Sequence, residues 1–148
     1  MKHPLLLPLA ALLLVFMFSG CASYNASMKP GSDLSKYQRV WVKSNMNDNR
    51  GIGQFICNAL RARGLESDLG PLTMMPRNTQ AIISFTDSWT WDFKDHMIRL
   101  ELSLKDAKID FPIATASYTD PFSLREAPDE VAAKLVNKLF NAQPAKQN

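Results

Sequence analysis

The sequence predicts an α+β domain in which two helices pack on one face of an antiparallel sheet of three to four strands. Two observations support this prediction. Residues 81–105 alternate apolar and polar side chains in two consecutive runs, which is the period of strands with one buried face. Residues 52–60 and 131–139 instead carry apolar side chains at helical spacing. Helices laid on one face of a sheet would bury both kinds of apolar surface.

The first strand and the first helix are predicted between residues 39 and 64. Residues 40–42, Val-Trp-Val, form a short β-branched and aromatic run that is typical of a strand. A helix follows and ends at Gly64. Residues 66–79 contain two proline turns and are expected to be a loop, with a short extended piece at 65–69 left open. The apolar helix face consists of Ile52, Phe55, Ile56, Ala59 and Leu60.

The clearest element is a β-hairpin between residues 81 and 105. A symmetric turn at Phe93-Lys94 brings the apolar faces of the two strands together. A slip of one residue would move every leucine of the second strand into water, so the register is strongly specified. The predicted pairs are Ile83 with Leu104, Phe85 with Leu102, Asp87 with Leu100, Ser88 with Arg99, Trp89 with Ile98 and Trp91 with His96.

A further strand and a second helix complete the predicted domain. Residues 112–119 contain β-branched and small side chains and are predicted to form a strand. The second helix begins near Pro128, which suits the first turn of a helix. Its apolar face consists of Val131, Leu135, Val136 and Leu139.

The first 20 residues have the layout of a secretory signal. Lys2 gives a basic start, an apolar run extends from residue 5 to residue 18, and small residues precede Cys21. The strongest apolar stretch, residues 9–18, is much shorter than the ~20 residues that a membrane-spanning helix needs. This layout resembles a bacterial lipoprotein signal peptide, although Phe18 stands where such signals usually carry leucine. The alternative is an ordinary secretory signal followed by an incidental cysteine.

The resemblance implies that Cys21 is acylated and becomes the first residue of the mature protein. More than one acyl chain would hold the protein firmly on a membrane. Ala22, rather than aspartate, follows the cysteine, which implies an outer-membrane address with the domain facing the periplasm. A source with a single membrane would instead place the domain on the cell surface.

The mature domain also resembles a group of small, uncharacterised envelope lipoproteins of Gram-negative bacteria. The shared features are the opening at residues 34–41, a helix that ends at glycine, and the strand Asp87-Ser88-Trp89-Thr90-Trp91. The likeness covers most of residues 33–140. It supports the fold more than any activity, and it brings no catalytic residues.

The chain is accordingly divided into a signal peptide (1–20), a lipidated flexible tether (21–36), one globular domain (37–141) and a frayed tail (142–148). The tether is expected to be flexible because it is rich in Ser, Asn, Gly and Lys. Loss of Lys2 with the signal lowers the net charge from +3 to +2. A charge this close to neutral does not indicate a nucleic-acid partner.

The reactive side chains do not form a recognisable catalytic set. Cys57 would have no partner within a chain lipidated at Cys21, so it is expected to be a small apolar filler, with an intermolecular disulfide as the alternative. His96 is the one histidine of the mature chain, and it could act with Asp92 or Asp95 or with Cys57. No nucleophile elbow accompanies it, and a metal needs more ligands than this turn offers. We therefore expect no catalytic residues, no metal and no cofactor.

Asp87 is unusual because it falls on the apolar face of its strand, between Phe85 and Trp89. A buried carboxylate without a partner is costly. Either the helices cover this face and Asp87 meets a donor, or its tryptophan end is open to solvent. In the second case Asp87, Trp89 and Trp91 would form a stacking platform for a sugar ring or a partner chain.

These observations predict a non-enzymatic lipoprotein of the outer membrane, which acts as an accessory or assembly factor by docking on a protein of the cell envelope. The alternative is a binding module for an envelope glycan or lipid, which uses Asp87, Trp89 and Trp91. The membrane itself would be a partner through the acyl chains at Cys21.

Replacing Cys21 with serine is expected to abolish incorporation of labelled palmitate and to release the protein from the membrane fraction, because no thiol remains to be acylated. Metabolic labelling and fractionation measure both effects. A Cys57→Ser variant is the control and should remain labelled. Unchanged processing and fractionation of Cys21→Ser would contradict the lipoprotein assignment.

Overall fold

The computed structural model describes residues 22–91, 93–120 and 126–144. The predicted signal peptide, Cys21 and Asp92 lie outside these residues. Among the described helices, none is long and apolar enough to cross a membrane.

Within these described ranges, six strands form one mixed sheet in the order β1-β6-β5-β4-β2-β3. Helices α1 and α2 pack against each other and on one face of the sheet, with a single hydrophobic core beneath them. A short 3₁₀ helix at Leu72–Met74 follows β3. The elements are β1 Ser23–Met28, β2 Arg39–Lys43, α1 Ile52–Ala62, β3 Glu66–Gly70, β4 Ala81–Trp91, β5 Asp95–Asp106, β6 Pro112–Thr119 and α2 Pro128–Phe140.

The predicted antiparallel sheet of three to four strands is wrong. β2 runs parallel to both β3 and β4, whereas the remaining neighbours are antiparallel. The parallel pair arises because α1 lies between β2 and β3. A helical crossover returns the chain to the end of the sheet where the first strand began, so the second strand runs in the same direction. The short piece left open at residues 65–69 is therefore a full edge strand.

The other missed strand is β1, which lies where the sequence predicts a flexible tether. It pairs with β6 from Ser23 opposite Thr119 to Met28 opposite Ala114. Its side chains alternate between half-buried and exposed. Because an edge strand buries little of its surface, a polar composition is compatible with it. At its far end Met28 N donates to the carbonyl of Gln143 (3.2 Å), so the chain after α2 lies beside β1.

Both predicted helices are confirmed. In α1 the side chains of Ile52, Ile56 and Leu60 are fully buried, as expected from their spacing. In α2 the fully buried side chains include Leu135 and Leu139. These stripes face the sheet, and the two helices leave the opposite sheet face uncovered.

The predicted hairpin register is confirmed over part of its length. Ile83 pairs with Leu104, and the match continues to Ser88 opposite Arg99. Beyond that point it is wrong by one residue, because a β-bulge shifts the pairing. Trp89 therefore lies opposite Met97, and Trp91 lies opposite Asp95. In the turn Phe93 adopts the left-handed region, with φ 57°, which a non-glycine residue seldom adopts.

The start of α1 depends on a side chain that lies outside the helix. Gly51 occupies the N-cap with φ 74° and has no side chain to offer. Asp48 takes over the capping role: its carboxylate accepts hydrogen bonds from the backbone N–H groups of Ile52 (2.9 Å) and Gly53 (2.8 Å). Two of the unpaired donors at the helix start are thereby satisfied.

Replacing Asp48 with alanine is expected to lower the free energy of unfolding by about 1–2 kcal/mol, the usual cost of losing an N-terminal cap. Chemical denaturation measures the change. Asp68→Ala is the control, because Asp68 makes only an exposed ion pair with Arg61, which is worth at most about 1 kcal/mol. An equal loss in both variants would contradict the capping role.

Candidate binding site at the β4–β5 hairpin

The outer half of β4 lies at the edge of the core, where Trp89 still packs against it. Its side chains alternate between buried and half-buried from Ala81 to Phe85, but none is buried after that point. Asp87 and Trp89 are half-buried, and Trp91 is 70% exposed. The sequence left open whether the helices cover this face or its tryptophan end is open to solvent. In the structure the end at Trp91 is open to solvent, whereas Asp87 and Trp89 are half-buried.

Asp87 has a partner within its own strand. The indole Nε1 of Trp89 donates a hydrogen bond to its Oδ2 (2.5 Å). This bond compensates the half-buried carboxylate for part of its lost hydration. The structure thus brings two of the three predicted site residues together.

Arg50 fastens the loop between β2 and α1 to the hairpin. Its Cζ lies 4.4 Å from the centre of the Trp89 ring, a cation–π geometry. Its Nη2 lies 2.5 Å from Oδ2 of Asp95, at the start of β5. Sequence reasoning missed Arg50, because nothing in its local pattern predicts contact with a strand 45 residues away. One guanidinium therefore covers a face of Trp89 and engages Asp95.

Trp91 pairs with Phe93 instead of joining the other two residues. Their ring centres lie 5.8 Å apart with the planes tilted by 42°. Phe93 is 92% exposed, so the tip of the hairpin presents two large aromatic rings to solvent. The sequence offered one signal for Phe93: turns favour Gly, Asn, Asp and Ser, so a large apolar residue at this position is unusual.

The structure places two residues considered for catalysis on separate elements, Cys57 on α1 and His96 on β5. In the part of the chain that the structure describes, no group of three His, Cys, Asp or Glu side chains could hold a metal ion. Cys57 is a free, fully buried thiol, and the Ser67 hydroxyl lies 3.5 Å from its Sγ. Burial raises the pKa of the Cys57 thiol, and the contact with Ser67 offsets this only in part. His96 is half-buried on β5 opposite Thr90.

A second surface lies on the sheet face that the helices leave uncovered. It is an open groove of about 470 Å³ that crosses β1, β6, β5 and β4. Ser27 and Thr115 are in hydrogen-bond contact across two of these strands, with 3.1 Å between their hydroxyl oxygens. Sequence reasoning missed the groove because one of its walls is β1. Its polar lining residues are Asn25, Ser27, Ser84, Thr86, Glu101, Ser103, Thr115 and Ser117.

A cluster of polar side chains fixes β1 to the start of α2. The Tyr24 hydroxyl donates to Glu126, and Lys134 Nζ lies 2.7 Å from the same carboxylate. Hydrogen bonds from Lys134 and then Tyr24 lower the pKa of Glu126. The pKa of Tyr24 is raised mainly by burial and, to a smaller extent, by the hydrogen bond with the Glu126 carboxylate and its negative charge. The centre of the Tyr24 ring also lies 4.9 Å from that of Tyr118, so the Tyr24 side chain contacts both β6 and the start of α2.

No protein-family model matches the chain, and no curated protein matches it. Among solved structures, the PelC dodecamer from Paraburkholderia phytofirmans is similar, with a TM-score of 0.59 and 16% identity over 85% of this chain and 100% of that one. A variant of the same protein has a TM-score of 0.56 and 17% identity over 84% of this chain and 100% of that one. A PDZ domain protein from Parabacteroides distasonis has a TM-score of 0.50 and 12% identity over 87% of this chain and 38% of that one. At these identities the likeness shows the fold.

Removing Arg50 is expected to expose Trp89. In a Trp91→Phe background, Arg50→Ala should shift tryptophan emission to the red and increase its quenching by acrylamide, because the covered ring face becomes hydrated. Arg63→Ala is the matched control, since Arg63 also stacks on an aromatic ring, that of Phe140, but on no tryptophan. Identical spectra of the two variants would refute the stacking.

Proposed function

We propose that this chain is a lipid-anchored protein of the cell envelope, held on the periplasmic face of the outer membrane, and that it acts by docking on other protein chains and not by catalysis. The signal-like layout that ends at Cys21 supports the anchor. The fully buried thiol of Cys57 and the lack of a metal-holding cluster among the described residues favour docking over chemistry.

The observation that carries the docking proposal is the open face of the sheet. Both helices lie on the other face, so four neighbouring strands present a continuous surface with a groove of about 470 Å³. Half of its lining residues carry small hydroxyl side chains, which both donate and accept hydrogen bonds. Small side chains also allow a partner to approach the strands closely. Such a surface suits a polar protein interface better than it suits a reaction.

We propose a second copy of this chain as the first partner to test. PelC of Paraburkholderia phytofirmans was solved as a dodecamer, and its entire chain corresponds to 85% of this one. A domain of this fold and size is therefore compatible with self-assembly. The accessory or assembly role then belongs to the oligomer, whose acyl chains would all lie on one membrane.

The alternative function is recognition of an envelope glycan through Asp87, Trp89 and Trp91. The 70% exposure of Trp91 favours it. However, Arg50 covers one face of Trp89, and Trp89 engages one oxygen of Asp87. Stacking on a sugar ring would thus rest mainly on Trp91.

Peptidoglycan fragments should change the tryptophan fluorescence of the parent protein but not that of Trp91→Phe. An equal response in both proteins would exclude this role.

Replacing Thr115 with arginine is expected to dissociate the oligomer, because a long cation would fill the groove from an exposed position on β6. Native mass spectrometry of the lipidated protein in mild detergent measures the assembly. Thr73→Arg is the matched control, since Thr73 is also exposed but lies in the 3₁₀ helix away from the groove lining. A monomeric parent protein, or a Thr115→Arg variant of unchanged mass, would contradict the proposal.

A further inference from the structure

The folded sheet begins almost at the proposed lipidation position. β1 starts at Ser23, two residues after Cys21. Two residues of extended chain span at most about 7 Å. If Cys21 carries the acyl chains, as the proposed function holds, the membrane surface lies within that distance of the start of β1.

The start of β1 cannot swing away from the rest of the domain. Ser23 pairs with Thr119 of β6, and the next residue, Tyr24, donates its hydroxyl hydrogen to Glu126 before α2. Only Ala22 therefore separates the acylated residue from a strand that is fixed to β6 and to the start of α2. The end of the sheet that holds Ser23 must face the bilayer.

The strand register identifies what else lies at that end. Ser23 lies opposite Thr119 of β6, which lies opposite Arg99 of β5. Arg99 in turn lies opposite Ser88 of β4, so these four residues form one row across the sheet. β1 and β5 run in the same direction, since both are antiparallel to β6. Residues that precede Ser23 and residues that precede Arg99 therefore extend toward the same side. That side is the one on which the β4–β5 hairpin turns.

The hairpin projects beyond the row that contains Ser23. β4 continues from Ser88 to Trp91, three residues or about 10 Å at the rise of a strand. The turn carries Phe93 farther still. Since Cys21 lies at most about 7 Å beyond Ser23, the tip reaches at least as far toward the membrane as the acylated residue. The lateral offset from β1 is two strand spacings to β5 and three to β4, which carries Trp91, or about 10 and 14 Å.

The chemistry of the tip suits the boundary between lipid headgroups and acyl chains. Trp91 and Phe93 are exposed by 70% and 92% and lie in contact with each other. Tryptophan is enriched at membrane interfaces, and buried apolar area strengthens interfacial binding. The exposed neighbour Lys94 can extend its ammonium toward the headgroups. Exposure of two adjacent large aromatic rings to water would otherwise be unfavourable.

We propose that the tip of the β4–β5 hairpin, through Trp91 and Phe93, inserts into the interfacial layer of the same bilayer that holds the acyl chains. It forms a second attachment point beside Cys21. Two points about 10–14 Å apart across the sheet prevent the sheet from rocking within its own plane, a motion that a lipid anchor alone leaves free.

Bromolipid quenching of tryptophan tests the insertion. The mature acylated protein is reconstituted into phosphatidylcholine vesicles whose acyl chains carry bromine near the headgroup. Emission of the parent protein should be quenched, and Trp91→Phe should lose most of that quenching, because Trp41 is buried and Trp89 is half-buried. Phe93→Ser should weaken quenching of Trp91.

Phe111→Ser is the matched control. Phe111 is another exposed phenylalanine, but it follows the turn between β5 and β6 at the opposite end of the sheet, so its loss should leave the quenching unchanged. Equal bromolipid quenching of the parent protein and Trp91→Phe, with Trp91 open to iodide in the vesicles, would overturn the inference.

The outcome is separable from failure of the proposed anchor. Intact mass of the same sample establishes whether Cys21 is acylated. An acylated protein whose Trp91 stays open to iodide overturns the insertion and leaves the anchor standing. A chain without acyl groups overturns the anchor, and with it the geometry on which the insertion rests.

Discussion

The pairing of β1 with β6 is the constraint on which the other features depend. Six consecutive pairs, from Ser23 opposite Thr119 to Met28 opposite Ala114, bind the start of the described chain into the sheet. The bonds from Tyr24 and Lys134 to Glu126 then tie this edge to α2. As a result the groove gains a wall, and the segment expected to hold the domain away from a membrane becomes part of the domain itself.

The two parts of β4 differ in burial. Up to Phe85 the strand contributes to the core under the helices. From Asp87 onward its side chains are half-buried or exposed, and they contact the hairpin itself and the loop before α1: Trp89 with Asp87 and Arg50, and Trp91 with Phe93. A strand with an exposed outer end can present aromatic side chains to a partner without loss of core packing.

Burial on one face determined what could be predicted from the sequence. The sheet covers one side of each helix, so buried side chains recur at helical spacing, as Ile52 and Ile56 do in α1 and Leu135 and Leu139 do in α2. Both helices were therefore predictable. The leucines of β5 fixed the hairpin register as far as Arg99 for the same reason. The edge strands β1 and β3 bury too little to leave such a pattern, and the direction of β3 follows from the crossover through α1. The bulge near Trp89 and the contact with Arg50 depend on tertiary packing that no local pattern encodes.

The account depends most on the chemical state of Cys21, since the short connection to β1 has consequences for orientation only if that residue is held in lipid. Intact mass spectrometry of the protein purified from its native envelope measures this state directly. We expect a polypeptide that begins at Cys21 and carries the added mass of its acyl chains. A polypeptide of unmodified mass, or one that begins at a different residue, would contradict it.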